Sequence, residues 1–327
     1  MTQTHPATAL QVRRLAGHIG AEISAIDLSQ PLSEDDVAQI RAAMHTHKVV
    51  FFRDQHLDHA GHLTLARQFG QPTRRPGAKH GVHPTGYPMI LAIDPEAEDA
   101  RYGRDFEEEY RLKWNTYTAG WHTDLTPAVN PPAASILRAE VIPAFGGDTQ
   151  WTNLVSAYEG LSPALRDMAD GLTAEHAFFA GCQLSDGDPR DREIRALDRA
   201  APQVSIHPVV RIHPQTGERA LFLNPASVKR LVGFNPAESH RLLELFFAQI
   251  IRPEYTVRFT WQPGSVAFWD NQATAHLAAT DLAHLPGVHR TMYRIALLGE
   301  RPVGPTGFTS EIVSGEPLLA YDEADPT

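Results

Sequence analysis

The chain has little of several features that would assign it to a class at once. It contains one cysteine, Cys182, among 327 residues, so an internal disulfide is excluded and a reducing compartment is expected. No run approaches the ~18 apolar residues of a membrane span, and residues 1–6 contain no apolar signal core. A formal net charge of −10 argues against a nucleic-acid surface. We therefore expect a soluble, cytoplasmic protein that neither spans a membrane nor binds nucleic acid.

The composition suits one large domain built mainly from strands. Hydrophobic residues make up 42% of the chain, and 25 prolines and 23 glycines are spread along it, as many short strands and turns require. Strand patterns at 49–52, 265–269 and 291–298 alternate with a few helices, which are predicted to begin after Ser33, Asp58, Ser162 and Asn235. These patterns predict a single domain over residues 1–327 of mainly β structure with flanking helices (α+β).

Two strongly charged segments, near 94–117 and 185–201, fit neither pattern. A solvated loop is the ordinary interpretation of a charge run. An active-site lid is the alternative, because the two segments lie on either side of the candidate site in the sequence. Both interpretations stay open at this point.

A histidine and an aspartate two residues apart, His122 and Asp124, form a candidate metal-binding pair. On a strand, residues i and i+2 project to the same side, so both can reach one ion. A distant His276 would complete the two-histidine, one-carboxylate triad of non-haem Fe(II) oxygenases, which leaves three metal positions open. Chance alone produces such pairs in a chain with 17 histidines. A second pair, His56 and Asp58, is better explained by Asp58 as a helix N-cap.

Other histidines compete with His276 for the role of third ligand. His284 and His289 lie in a proline- and glycine-containing stretch that predicts an exposed loop. His276 follows a strong strand and its exit turn, where a ligand can be held rigidly, so we favour it. We expect three further histidines to be ordinary strand or surface residues: His176, His207 and His213.

Further motifs accompany the triad in a fixed order. They are the segments 20–23 and 49–55, Phe-Gly-Gln-Pro at 69–72, Gly-Gly-Asp-Thr at 146–149, Trp-Asp-Asn at 269–271, and Arg290 with Arg294. With them the chain resembles the taurine dioxygenase and aryloxyalkanoate dioxygenase (TauD/TfdA) family of Fe(II)/2-oxoglutarate oxygenases along most of its length. The resemblance implies a double-stranded β-helix core (jelly-roll, cupin-like) and a need for Fe(II), the cosubstrate 2-oxoglutarate and O₂.

The resemblance also assigns roles to single residues. It implies these iron ligands: His122, Asp124 and His276. It places Arg294 and the Thr149 hydroxyl at the distal carboxylate of 2-oxoglutarate, Arg290 near Asp124 at the iron-bound end, and Trp269 beside that end. The residues support a carboxylate clamp independently, because Arg294 is the only charged residue in an apolar run and its planar fork matches a carboxylate.

The resemblance implies hydroxylation of a small organic anion of the sulfonate, alkyl sulfate or aryloxyalkanoate type. This chain departs from the sulfonate and sulfate branch at two positions. Arg75 stands where that branch has a substrate-binding histidine, and Thr118 stands where taurine-type enzymes have an asparagine. Taurine itself is therefore not expected. Our candidate substrate residues are Arg75, His80 and Thr118.

Two other functions stay open on the sequence. One is a 2-oxoglutarate dioxygenase of specialised metabolism that acts on an amino-acid-like or carrier-linked substrate. Its mark would be an apolar pocket lined by Phe178, Phe222 and Phe234. The other is a non-catalytic metal-binding β-barrel. For the subunit number, the resemblance suggests a homodimer or homotetramer.

Overall fold

A seven-stranded sheet forms the largest layer of the computed structural model. The structure describes residues 10–74, 81–102, 111–116, 118–278, 281–282, 285 and 287–322. The strands of the large sheet are β1 (Gln11–Arg14), β2 (Ala21–Ser24), β3 (Val49–Phe52), β5 (Leu91–Ile93), β6 (Ala134–Val141), β14 (Val266–Asp270) and β16 (Thr291–Leu297). Their order is β1-β2-β3-β14-β6-β16-β5, and only β2 and β3 pair in parallel.

Smaller antiparallel sheets surround this layer. The three-stranded sheet has the order β13-β7-β15, from strands Thr256–Phe259, Thr149–Asn153 and Thr274–Ala278. The four-stranded sheet has the order β12-β8-β9-β17, from strands Val228–Leu231, Thr173–Ala177, Val204–Pro208 and Glu311–Ser314. Two strand pairs complete the set, β10 (Val210–Ile212) with β11 (Arg219–Leu221), and β18 (Leu319–Ala320) with β4 (Thr73–Arg74).

The described helices lie between strands along the chain. They are α1 (Glu34–His47), α2 (His59–Phe69), α3 (Pro95–Tyr102), α4 (Leu154–Glu159), α5 (Pro163–Asp170), α6 (Pro189–Ala200) and α7 (Pro236–Ile250), with a 3₁₀ turn at Pro253–Tyr255. The protein is therefore mostly β with some helices, as predicted. No helix in the described ranges is long and apolar enough to cross a membrane.

The predicted helix starts are confirmed, and one of them explains the second His-x-Asp pair. The Asp58 side chain caps α2 by accepting a hydrogen bond from the Gly61 amide at 2.7 Å. The neighbouring His56 is exposed. This pair therefore serves the start of a helix, as a side-chain oxygen at the N-cap satisfies an otherwise unpaired amide.

We expect Asp58→Ala to lower the free energy of unfolding by about 1 kcal/mol, the usual effect of losing an N-cap. Metal affinity should stay at the wild-type value. Urea denaturation and a Mn(II) titration measure the two quantities, and His56→Ala is the matched control. A metal-binding defect in either variant would contradict the assignment.

Alternation along the central strands gives the large sheet two apolar faces. In β3, Val50 and Phe52 belong to a buried cluster that includes residues of α1 and α2, whereas Val49 and Phe51 belong to a different cluster. The second cluster also contains Trp151 of β7. It therefore lies between the seven-stranded and three-stranded sheets, and the candidate site borders it.

The two charged segments, for which a solvated loop and a lid were both considered, each contain a helix. The first contains α3, and the second contains α6. Helix α6 begins at an Asp188 N-cap with Pro189 in the first turn, a local start signal that the charge run obscured. Residues 103–110 and 117 of the first segment lie outside the described ranges.

Candidate active site

His122 and His276 lie opposite each other in a two-way backbone pair. The His122 amide donates to the His276 carbonyl at 2.9 Å, and the His276 amide donates to the His122 carbonyl at 2.7 Å. Their ring centroids are 4.1 Å apart. His276 lies within β15, but His122 forms only this isolated bridge. The predicted strand around His122 and Asp124 is therefore wrong, since a turn begins at Asp124.

The Asp124 side chain, which lies on the turn after His122, points toward the two histidine rings. Its donor atom and those of the two histidines all lie within 4.8 Å of one another, and its Oδ1 is 3.9 Å from His276 Nε2. Oδ1 also accepts a hydrogen bond from Arg294. Burial opposes ionisation of the carboxyl, but Arg294 and the two histidines outweigh it and lower the pKa of Asp124 to about 2. The carboxylate is therefore ionised near neutral pH.

The two histidines are suited to bind a metal through lone pairs. Burial lowers the pKa of His122; burial, together with the repulsion that a protonated His122 would exert, holds the pKa of His276 well below its usual value. Both rings are therefore neutral near pH 7. His122 Nδ1 lies 3.0 Å from the Gly120 carbonyl, which only accepts, so Nδ1 carries the proton and Nε2 keeps its lone pair. Two neutral imidazoles and one carboxylate form the donor set of a facial iron triad.

A second group, His45, His213 and Asp270, also brings its donor atoms within 4.8 Å. His213 Nδ1 accepts the amides of Gln215 and Thr216 at 3.2 and 3.1 Å, so Nε2 carries the proton and donates it to Asp270 at 2.8 Å. That nitrogen has no lone pair for a metal. The group is a buried hydrogen-bond network.

The other candidate histidines do not reach the triad. His289 pairs with Glu96 at 2.7 Å at the surface, and His284 lies outside the described residues. His176 and His207 lie on strands, as predicted, and His213 directly follows one, but all three are fully buried rather than at the surface. His207 and His213 tolerate burial because both ring nitrogens of each have hydrogen-bond partners.

The structure brings Arg294 to Asp124, where the resemblance had placed Arg290. Arg290 lies beside Gly147, where an added Cβ would be 3.0 Å from Arg290 Cδ. Arg290 precedes β16, whereas Arg294 lies within it. Gly147 has a φ of +68°, in the left-handed region that favours glycine. Because glycine has no Cβ, the aliphatic part of the Arg290 side chain can pack directly against it.

Thr149 begins β7, the strand that pairs with β15, and Trp269 lies against His276. The Thr149 hydroxyl accepts the Trp261 indole N–H at 2.9 Å, so its own proton remains to donate. The Trp269 ring meets the His276 ring edge to face at 5.1 Å. Its N–H donates to Asn271 at 2.9 Å, and Asn271 in turn contacts Asp124. Trp269 thus buttresses the triad.

The proposed substrate residues have mixed outcomes. Arg75 and His80 lie outside the described residues. Thr118 is buried, and its hydroxyl lies 2.9 Å from that of Thr116, close in sequence to His122. The phenylalanine-lined pocket is not supported by two of its members. Phe222 is fully buried against His176 and His207, and Phe234 packs against a separate core cluster.

Comparisons with known proteins agree with this site. Residues 11–296 match the family described as "Taurine catabolism dioxygenase TauD, TfdA family". The chain is 37% identical over 320 residues to an alkylsulfatase of Acinetobacter baylyi, covering 97% of this chain and 93% of the relative. It is 39% identical over 305 residues to an alpha-ketoglutarate-dependent sulfate ester dioxygenase of Pseudomonas putida, covering 92% and 93%. A crystal structure of a putative alpha-ketoglutarate-dependent taurine dioxygenase from Burkholderia xenovorans superposes with a TM-score of 0.79 at 44% identity, covering 94% and 100%.

The chain belongs to this dioxygenase family. It is a non-haem dioxygenase that requires Fe(II), 2-oxoglutarate and O₂.

Proposed function

We propose that this dioxygenase hydroxylates a small organic anion, with alkyl sulfate esters as the class to test first. The site supports the reaction class through one observation, the triad of two neutral histidines and an ionised aspartate, in which Asp124 and His276 are buried and His122 is half-buried. The substrate class rests on relatives named for alkyl sulfate and sulfate ester chemistry, which match more than nine-tenths of both chains.

The reaction balances for such a substrate. One atom of O₂ enters the succinate formed as 2-oxoglutarate loses CO₂, and the other becomes a hydroxyl on the carbon that bears the sulfate oxygen. The C–O bond to sulfate then breaks as the hydroxyl loses its proton. The products are an aldehyde and inorganic sulfate. A sulfonate would yield sulfite and an aryloxyalkanoate a phenol by the same logic.

The chain's own residues divide the work of binding the cofactors. We assign the metal to His122, His276 and Asp124 Oδ1. Arg294 donates a hydrogen bond to the same oxygen and partly neutralises its charge. Iron bound there with 2-oxoglutarate supplies the O₂ activation that hydroxylates a C–H bond.

The cosubstrate's distal carboxylate is assigned to Arg290 and the Thr149 hydroxyl. Arg290 lies beside Gly147, two residues before Thr149, and a guanidinium with a neighbouring hydroxyl is a common carboxylate cradle. Arg294, already at Asp124, is placed at the metal-bound end. Trp269 packs against His276 beside that end.

We also propose that the two facing sheets form the double-stranded β-helix of a jelly-roll core, within one domain spanning residues 1–327. Trp151 of the three-stranded sheet contacts Trp269 of the seven-stranded sheet, with ring centroids 5.7 Å apart, as expected for sheets packed around a common interior. We also expect the protein to be a cytoplasmic homodimer or homotetramer. Light scattering would measure the mass of the assembly.

The two charged segments are proposed to form one lid. Lys113 of the first donates to Asp188 of the second at 2.9 Å and also binds the buried Asp191. Backbone pairs reinforce the contact, because the Gln183 amide donates to the Lys113 carbonyl at 2.7 Å and the Asn115 amide to the Gly181 carbonyl at 2.9 Å. The first segment is followed along the chain by the loop that carries His122.

We expect Lys113→Met to loosen this lid and raise the ratio of succinate to hydroxylated product. A hydrogen bond to a charged group is worth ~1.5–3 kcal/mol, so the rise should be about 10- to 100-fold. Lys229→Met, which removes one partner of Glu175 away from the two segments, is the control. Equal ratios in both variants would contradict the lid.

A panel of anions tests the substrate proposal. Succinate formation above the substrate-free background would be measured with linear alkyl sulfates, alkyl sulfonates, aryloxyacetates and amino acids. We expect the largest stimulation with alkyl sulfates, accompanied by stoichiometric inorganic sulfate. Stimulation confined to amino acids would favour specialised metabolism instead.

A further inference from the structure

The two oxygens of the Asp124 carboxylate have different surroundings. Oδ2 accepts hydrogen bonds from Ser135 Oγ at 2.7 Å and from Asn271 Nδ2 at 3.3 Å. Oδ1 lies 3.9 Å from His276 Nε2 and contacts Arg294. Only Oδ1 therefore shares the space toward which the histidine nitrogen points, while Oδ2 is turned into the sheet.

Asn271 has no freedom to reverse this arrangement. The Trp269 indole N–H can only donate, and it lies 2.9 Å from Asn271 Oδ1, so the amide nitrogen must face the other way. That nitrogen donates to Asp124 and to Ser135 Oγ, the latter at 2.8 Å. The Ser135 hydroxyl accepts a hydrogen bond from Asn271 and donates one to Asp124. The donor and the acceptor of each hydrogen bond in this network are therefore fixed, and both side-chain bonds to Asp124 end on Oδ2.

The hydrogen bonds to Oδ2 affect how many coordination positions of a bound metal Asp124 can fill. A carboxylate binds a metal through one oxygen or through both. Two-oxygen binding would fill one of the three positions that a facial triad keeps open. Two of those positions are needed for the chelating cosubstrate and one for O₂. Donors aimed at Oδ2 compete with the metal for its lone pairs.

We propose that Ser135 and Asn271 are positioning residues that restrict Asp124 to coordination through Oδ1 and so preserve the O₂ position. The inference rests on the proposed metal site. Ser135 is on β6 and Asn271 follows β14, adjacent strands of the rigid seven-stranded sheet. This placement holds the ligand to the narrow geometry that a functional site needs, and such outer partners commonly change metal affinity 10- to 100-fold.

Water proton relaxation of the Mn(II)-loaded protein tests the proposal, because it reports the number of water molecules on the metal. Ser135→Thr and Ser135→Val form a matched pair of the same shape, and only threonine keeps the hydroxyl. Asn271→Ala removes the second donor, and S135V/N271A removes both. Asn130→Ala is the control, since the Asn130 amide bonds to backbone groups of Leu318 and not to Asp124.

For wild type, S135T and N130A we expect three exchangeable waters. For S135V/N271A we expect two, a fall in relaxivity of about one third, with Mn(II) bound about 10- to 100-fold more weakly. In the single variants S135V and N271A, relaxivity and Mn(II) affinity should both fall, by less than in the double variant. These single variants replace the double variant in the comparison if it does not fold. Unchanged hydration and affinity in these variants, with wild type binding Mn(II) normally, would overturn the positioning role alone. A wild-type protein that binds no Mn(II) would overturn the proposed metal site as well.

Discussion

Replacing His276 with alanine is expected to lower metal affinity by more than about 100-fold, because loss of a direct ligand exceeds the cost of losing a ligand's partner. Succinate formation should fall to background. The buried ring is one of two imidazoles on the candidate metal position, and the other buried histidines among the described residues are engaged elsewhere or have no ring nitrogen within reach of Asp124. Calorimetric titration with Mn(II) under anaerobic conditions measures the loss.

His289→Ala is the matched control for this variant. His289 lies on the same stretch after β15, but at the surface beside Glu96. It should bind Mn(II) as wild type does. If H276A kept wild-type affinity while H289A lost it, the third ligand would be His289 and the assigned triad would be wrong.

Separate effects are expected from the two arginines, because Arg294 contacts Asp124 whereas Arg290 lies beside Gly147. Arg290→Met should raise the KM for 2-oxoglutarate about 10- to 100-fold, the value of a charge-assisted hydrogen bond of ~1.5–3 kcal/mol, with little change in stability. Arg294→Met should instead lower the free energy of unfolding by about 3 kcal/mol, because it leaves the buried Asp124 carboxylate without its cationic partner.

Urea denaturation and the dependence of succinate formation on 2-oxoglutarate distinguish the two variants. Mn(II) should restore much of the stability of R294M, since the bound cation neutralises Asp124. It should leave the KM defect of R290M unchanged. A KM defect confined to R294M would restore the order of the arginines that the family resemblance first suggested.

Parts of this structure follow from short stretches of sequence. The helix starts depend on residues within three positions, as Ser33 with Asp36 and Asn235 with Glu238 illustrate. The triad residues were predictable because few residue types bind iron in this pattern and the accompanying motifs come in order. His122 and Asp124 nevertheless meet the ion from a bridge and a turn, since contact with His276 rather than a strand holds them there.

Other parts depend on contacts that no local pattern reveals. Ser135 lies 11 residues from Asp124 and Asn271 lies 147 residues away, and only the pairing of β6 with β14 brings them together. The spacing of Arg290 and Arg294 predicts a pair of arginines but not which one meets Asp124. That order depends on the register of β16 against β6, including its shift between Thr291 and Met292.

The central claim is that His122, Asp124 and His276 hold an iron to which 2-oxoglutarate chelates. Anaerobic titration of the Fe(II)-loaded protein with 2-oxoglutarate tests it most directly. We predict a weak visible charge-transfer band that saturates at one equivalent of 2-oxoglutarate per chain and is absent from H276A. A protein that binds Fe(II) but develops no such band at saturating 2-oxoglutarate, or an H276A protein that develops it fully, would contradict the claim.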